Sequence, residues 1–110
     1  MKKLPALIDA TDMLVCGEDL GMIPACVPDV MNELRILSLE IQRMPKLYGE
    51  TFANTARYPY LSVATPSTHD MSTLRGWWNE DKALSQQFYN NVLGFDGAAP
   101  AAMDGRVAHA

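Results

Sequence analysis

The sequence has no long apolar run and no excess of positive charge. None of its apolar stretches approaches the roughly 20 residues that a membrane-spanning helix needs. The 9 Lys and Arg residues are scattered and the net charge is -4, so no basic surface is expected to follow a nucleic-acid backbone. We therefore predict a soluble protein with neither a membrane nor a nucleic acid as partner.

Cysteine is also scarce, with only Cys16 and Cys26 present. His69 and His109 are the only histidines, so the chain offers too few partners for an obvious metal site or disulfide framework. The N-terminal apolar stretch is interrupted by Pro5 and is too short for a secretory signal. These features predict two buried free thiols, no metal and a reducing, cytoplasmic location.

The length of the chain limits how many domains it can form. A chain of 110 residues forms one small domain, whereas a complete barrel enzyme takes about 250 residues. Hydrophobic residues make up 48% of the chain and charged residues 20%, which is typical of a globular protein. We expect one domain or one piece of a domain.

The first half of the chain shows a strand followed by a helix. Residues 13–16 are a continuous apolar run, the pattern of a strand covered on both faces in a parallel sheet. The next segment predicts a helix with either Pro24 or Pro28 in its first turn. Its apolar positions recur at helical spacing, at Val27, Val30, Met31 and Leu34.

Two strands and a second helix are predicted further along. Residues 37–42 alternate between apolar and polar side chains, and residues 58–65 form another strand pattern. Between them, residues 44–59 lack a sustained period and predict a long loop with a short helical turn. Ser72 is the predicted N-cap of one long helix that ends at Gly94.

This order of elements favours an α/β fold with about three parallel strands and flanking helices. Such a small sheet leaves its edges exposed, so residues 1–94 are expected to be an incomplete unit. Residues 95–110 are poor in large apolar side chains and predict a frayed or disordered tail.

Polar side chains follow two of the predicted strands at their carboxyl ends, where ligands collect in parallel α/β folds. Glu18 and Asp19 come after the first strand, and His69 and Asp70 come after the third. Two carboxyl groups that share a dry pocket can hold different protonation states, which is the arrangement that cleaves glycosidic bonds. Taken alone, the pattern is more typical of solvated turns and helix caps than of a catalytic pair, so a non-catalytic α/β module stays open here.

Trp77 and Trp78 also have two interpretations. An aromatic side chain can stack on a sugar ring, but the helical spacing of these residues with Phe88 favours a place in the core.

Three strings favour the catalytic interpretation: GEDLGMIP, LEIQRMPK and YPYLSVATPSTHDMSTLRGWW. In this order they resemble the carboxyl-terminal part of the catalytic barrel of the 4-alpha-glucanotransferases, the amylomaltase or disproportionating-enzyme family. The resemblance runs from about residue 4 to residue 94, a minor share of a family member's length. It implies that the chain is a fragment of a (β/α)8 TIM barrel.

The resemblance also implies an activity. Family members transfer α-1,4-glucan segments from a maltooligosaccharide or α-glucan to an acceptor sugar, with retention and without a metal or organic cofactor. By resemblance, Glu18 is the general acid/base, Asp70 stabilises the oxocarbenium-like transition state, and His69 binds a sugar hydroxyl. Asp19 is expected to fix the local backbone by accepting hydrogen bonds, and the loop 44–59 to contribute to the substrate cleft.

One part of the family pattern does not occur in this chain. The family's nucleophile is an aspartate in an RIDH-like motif, and no such string is present. Without that carboxylate no covalent glycosyl-enzyme forms. We expect the chain to be inactive alone and to belong to a longer parent enzyme. The alternatives are a small non-catalytic α/β module and a fragment that associates with copies of itself through its sheet edges.

Overall fold

The structure, a computed structural model, describes residues 3–110. The chain forms two units, the first ending at Thr65 and the second beginning at Pro66. The boundary between them falls inside the segment 1–94 that the sequence predicts as one piece. Across residues 3–110, no helix has the length and apolar character needed to cross a membrane.

A parallel sheet with helices before it forms the first unit. Its elements are α1 (Lys3–Asp9), α2 (Val27–Glu33), β1 (Ser38–Ile41), a 3-10 helix (Thr55–Arg57) and β2 (Ser62–Thr65). β1 and β2 pair in parallel, with Ser38 opposite Ser62 and Ile41 opposite Thr65. The parallel pairing of these two predicted strands is confirmed. α1 has no counterpart among the predicted elements.

The first predicted strand, at residues 13–16, is reduced to a short pairing beside β1. Cys16 forms a parallel bridge with Leu37. The Leu37 N–H donates to the Val15 carbonyl at 2.9 Å, and the Gly17 N–H donates to the Leu37 carbonyl at 2.9 Å. Within residues 3–65, the sheet therefore has two full strands and one bridged segment, rather than three full strands.

The bridged segment is more exposed than the sequence predicts. Met13 and Leu14 are each 76% exposed, so the prediction of a strand covered on both faces is wrong for this chain. The prediction of buried thiols is also wrong, because Cys16 and Cys26 are exposed. Gly17 faces α2, and the alternation of side chains along a strand turns its neighbour Cys16 the other way.

The core of the first unit lies where α2 meets β1. Pro28 lies in the first turn of α2, which decides between the two predicted starts, and Asp29 favours the same end through the helix dipole. The buried apolar side chains here are Met31, Ile36, Leu37 and Ile41, of which Ile41 is fully buried. The predicted loop 44–59 is present, and its helical turn is the 3-10 helix Thr55–Arg57.

Three helices make up the second unit: α3 (Leu74–Glu80), α4 (Lys82–Asn91) and α5 (Gly105–His109). The prediction of Ser72 as the N-cap of a single long helix is wrong by one residue. The N-cap is Thr73, whose Oγ1 accepts the Gly76 N–H at 3.2 Å.

The predicted long helix is also interrupted at Asp81. This residue has an extended backbone, with φ -134° and ψ 104°. Its carboxylate accepts the backbone N–H of Ala83 at 2.9 Å and of Leu84 at 3.0 Å. Asp81 therefore ends α3 and caps the first turn of α4, because a side-chain acceptor satisfies N–H groups that have no partner within the helix.

Aromatic side chains fill the core of the second unit. Trp78 is 0% exposed and Trp77 is 8% exposed, so their interpretation as core residues is confirmed. Trp77 packs edge-on against Phe88, with ring centroids 5.4 Å apart. The indole N–H of Trp78 donates to the Pro100 carbonyl at 3.0 Å.

Residues 95–110, where the sequence predicts a frayed or disordered tail, contain α5 and contacts back to α4. Asp104 caps α5 by accepting the Val107 N–H at 3.0 Å, and Val107 is buried. Gln86 of α4 accepts the Ala99 N–H at 2.8 Å.

Candidate active site

The candidate acid/base, Glu18, lies in an irregular segment, residues 18–22, that ends in a bend at residues 21–22. We call this segment the turn; it follows the last backbone hydrogen bond between the bridged segment and β1. That bond runs from the Gly17 N–H to the Leu37 carbonyl. In a continued parallel ladder, the next N–H of β1, that of Leu39, would donate to the Gly17 carbonyl. It donates instead to Asp19 Oδ1, at 2.9 Å. The chain thus leaves the sheet at Glu18, which is exposed.

Asp19 is the buried member of the pair, at 6% exposure. Its hydrogen bond from Leu39 confirms the expectation that it fixes the local backbone. Its second oxygen, Oδ2, lies 2.7 Å from Lys46 Nζ. Lys46 Nζ also lies 2.7 Å from Glu40 Oε1. We call these three side chains the Asp19–Lys46–Glu40 cluster, in which one cation contacts two carboxylates.

The pKa of Lys46 reflects competing effects. Burial opposes its charged form, but hydrogen bonds to Asp19 and Glu40, together with their negative charges, outweigh burial and raise the pKa above its ordinary value of 10.5. Burial first, and the charge of Glu40 second, raise the pKa of Tyr58 above its ordinary value of 10.0, while Lys46 opposes this rise. Lys46 is therefore a cation and Tyr58 a neutral phenol at neutral pH.

The two glycines that flank the acidic pair have different structural roles. Gly21 has φ +76°, a conformation that side chains disfavour, although a Cβ there would meet nothing within 4 Å. At Gly17, a Cβ would lie 3.2 Å from both Ile36 Cγ2 and Met31 Cε. Gly21 lets the turn close, and Gly17 lets the bridged segment approach α2.

A cavity of about 970 Å³ opens beside the Asp19–Lys46–Glu40 cluster, and all three members of the cluster line it. Apolar side chains from α2 and from the segment before β2 form other parts of its wall, including Met31 and Leu61. Glu18 is not among its lining residues. The turn therefore presents Asp19 to this cavity and leaves Glu18 facing solvent.

The other two candidate residues lie together in the second unit. His69 Nε2 is 3.2 Å from Asp70 Oδ1, and the two side chains are 89% and 81% exposed. The Asp70 N–H donates to Thr68 Oγ1 at 3.3 Å. The structure thus brings His69 and Asp70 side by side. Glu18 belongs to the first unit, so its convergence with Asp70 stays a prediction.

Comparison with known proteins gives these residues a family context. The family model described as 4-alpha-glucanotransferase matches residues 1–110. The chain belongs to the 4-alpha-glucanotransferase family. The resemblance inferred from the three sequence strings is confirmed.

Individual relatives in the 4-alpha-glucanotransferase family are much longer. The 4-alpha-glucanotransferase DPE2 of Oryza sativa subsp. japonica is 48% identical over 109 residues, which cover 99% of this chain and 12% of the relative. The 4-alpha-glucanotransferase of Chlamydia trachomatis is 37% identical over 87 residues, covering 77% of this chain and 16% of the relative. The 4-alpha-glucanotransferase of Haemophilus influenzae is 35% identical over 68 residues, which cover 62% of this chain and 10% of the relative. The chain therefore spans less than a fifth of these glucanotransferases.

Neither Glu40 nor Lys46 is predicted from the sequence as a site residue of this 4-alpha-glucanotransferase segment. A signal for Glu40 exists, because strand alternation places it on the same face of β1 as Ser38, and Ser38 Oγ donates to Glu40 Oε1 at 2.9 Å. No periodic signal exists for Lys46, since it lies in an irregular loop whose path only tertiary structure defines.

Proposed function

We propose that this chain is part of a 4-alpha-glucanotransferase that moves α-1,4-glucan segments from a donor glucan to an acceptor sugar with retention. The observation that carries the proposal is the family match over residues 1–110. The 48% identity to the rice relative over 109 residues supports it. The position of Glu18 directly after a parallel-paired segment also supports it, because catalytic groups of parallel α/β folds lie beyond the carboxyl ends of strands.

In this proposal Glu18 is the general acid/base. It donates a proton to the glycosidic oxygen as the donor's leaving group departs, while a nucleophilic carboxylate from outside this chain bonds to the anomeric carbon. Glu18 then takes the proton from the acceptor hydroxyl as that oxygen displaces the carboxylate. The first step consumes the proton that the second step restores, so Glu18 returns to its starting state.

His69 and Asp70 are proposed to hold the sugar at the point of cleavage. Their side chains lie side by side, 3.2 Å apart, and both are exposed. An imidazole and a carboxylate in this position can contact hydroxyls of one glucose unit. The Asp70 carboxylate would offset the positive charge that develops on the ring as the glycosidic bond breaks.

We also propose that the first unit belongs to a (β/α)8 barrel in the complete enzyme. Parallel pairing between consecutive strands supports this arrangement. The highly exposed Met13 and Leu14 would be covered there by other parts of the barrel. The cytoplasm is the proposed compartment, supported by the two free thiols.

The test is Glu18→Gln in the full-length parent protein, with glucose release from maltotriose as the assay. Loss of the acid/base is expected to lower transfer about 100- to 10,000-fold, while calorimetry still detects maltooligosaccharide binding. The matched control is Glu33→Gln, the same change at an exposed position at the end of α2, and it is expected to transfer normally. Near-normal transfer by Glu18→Gln would show that the acid/base assignment is wrong.

For the isolated chain, we propose self-association as a second property. Within residues 3–110, β2 pairs with β1 alone among the strands, and edge strands with a free side readily pair with another chain. Light scattering after size exclusion at several concentrations is expected to show a mass that rises with concentration. A constant monomer mass would refute this proposal.

A further inference from the structure

We propose that Lys46 is a positioning residue for the transfer reaction: by joining Asp19 to Glu40, it fixes the turn that carries Glu18. This inference rests on the proposed role of Glu18 as acid/base. It assigns Lys46 no contact with the sugar or with the reacting atoms.

Asp19 is covalently linked to Glu18 through one peptide bond. Both of its carboxylate oxygens are engaged, Oδ1 by the Leu39 N–H at 2.9 Å and Oδ2 by Lys46 Nζ at 2.7 Å. A carboxylate held at both oxygens has a fixed plane as well as a fixed position. The backbone next to it, including that of Glu18, is therefore restrained, and such restraint is what a proton-transferring group needs for productive geometry.

Lys46 is itself held close to β1. Lys46 also contacts Glu40 Oε1 at 2.7 Å, and Glu40 lies in β1. Its ammonium group is therefore held against the same strand that supplies the Leu39 N–H. Asp19 is in this way tied to β1 twice, directly through Leu39 and indirectly through Lys46 and Glu40.

Lys46 also offsets the negative charge of two carboxylates that have little contact with solvent. The side chains of Asp19 and Glu40 are only 7% and 12% exposed, and that of Lys46 is 31% exposed. Without Lys46, two buried carboxylates would face the same space with no cation between them, and their repulsion would favour movement of Asp19 away from Leu39. Because Glu18 is attached to Asp19, that movement would displace the acid/base.

The experiment compares Lys46→Met and Lys46→Arg with the wild-type parent protein in maltotriose disproportionation. Lys46→Met is expected to lower kcat about 10- to 100-fold through misplacement of Glu18, with KM unchanged within about twofold. Lys46→Arg is expected to regain most of kcat, because a guanidinium can contact both carboxylates. The matched control Lys3→Met, which removes the same charge from an exposed position in α1, is expected to behave as wild type.

A second measurement reports the geometry without activity. Hydrogen–deuterium exchange, localised to single amides by electron-transfer fragmentation, is expected to be at least about tenfold faster at Leu39 in Lys46→Met than in wild type. Lys3→Met should leave this exchange unchanged. If Lys46→Met does not fold, Glu40→Gln replaces it, with a smaller increase in exchange expected because the contact between Asp19 and Lys46 remains.

The outcomes separate this inference from the proposed function. Absence of transfer by the wild-type parent would refute the function alone, while the Leu39 exchange would still test the restraint. Normal transfer by wild type together with normal kcat in Lys46→Met would overturn the positioning role and leave the function intact. Equal loss in Lys46→Met and Lys46→Arg with unchanged Leu39 exchange would also overturn it.

Discussion

Asp19 Oδ1 accepts the backbone N–H of Leu39 at 2.9 Å, across 20 residues of sequence. The carboxylate occupies the place where a further backbone hydrogen bond of the parallel ladder would form. Asp19 is 6% exposed, so removal of its carboxylate would leave a poorly solvated N–H without a partner. The stability of the first unit should therefore depend on this one side chain.

We predict that Asp19→Ala lowers the free energy of unfolding by about 1–3 kcal/mol, the usual cost of leaving a buried donor unsatisfied. Urea denaturation of the 110-residue chain followed by far-UV circular dichroism measures this change. Tryptophan fluorescence is unsuitable, because Trp77 and Trp78 both lie in the second unit. The control Asp12→Ala, at an exposed position, should change stability by less than about 0.5 kcal/mol. Equal losses in the two variants would contradict the prediction.

Alkaline pH is predicted to destabilise the first unit. The pKa of Lys46 is raised in the folded protein, so its stabilising contribution is complete below its ordinary pKa of 10.5 and is lost as pH rises through the folded value. The pKa of Tyr58 is also raised, so the folded state holds the phenol proton more firmly than the unfolded state does. The stability of the folded state therefore falls further above pH 10.0.

The measurement is the melting temperature of the chain followed by circular dichroism at pH values from about 9 to 12. Lys46→Met should show a shallower alkaline decline than wild type, even though it starts from a lower melting temperature. The charge-matched variant Lys3→Met should keep the wild-type slope. The same slope in all three proteins would show that Lys46 is not coupled to folding.

Asp81→Ala is predicted to destabilise the second unit by about 1 kcal/mol, because the N–H groups of Ala83 and Leu84 lose their cap. Urea denaturation followed by tryptophan fluorescence reports this change, since both tryptophans lie in that unit. Asp81→Asn should retain most of the stability, because its side-chain oxygen can still accept. Asp96→Ala, at an exposed position, serves as the control. An Asp81→Ala midpoint equal to that of Asp96→Ala would contradict the capping role.

Periodicity predicts the elements whose partners lie within the same unit. α2 and β1 are predicted correctly, since a helical or alternating pattern reports which face is buried. Of the predicted strand 58–65, only the second half forms β2, because residues 58–61 have no strand partner in the described structure. The break at Asp81 escapes this reasoning because the apolar spacing from Trp77 to Phe88 continues across it. A single side chain that competes for local backbone N–H groups decides the break, and no periodic pattern reveals such competition.

The candidate site is predictable to a similar extent. The position of Glu18 after a paired segment and the backbone contact of Asp19 follow from strand ends and local chemistry. The contact between Asp19 and Lys46 spans 27 residues and depends on the path of an irregular loop. Neither the strand ends nor local chemistry predicts it. The exposure of Met13 was not predictable either. An apolar run indicates that its side chains pack against other residues, but it does not specify which segment supplies those residues.

The exposure of the two cysteines has a practical consequence. Cys16 and Cys26 are free and exposed, one before and one after the turn that contains Glu18. Thiol-reactive spin labels can therefore be attached at both native positions without engineering new cysteines. The distance between the two labels would test whether that turn keeps its conformation when a glucan is added.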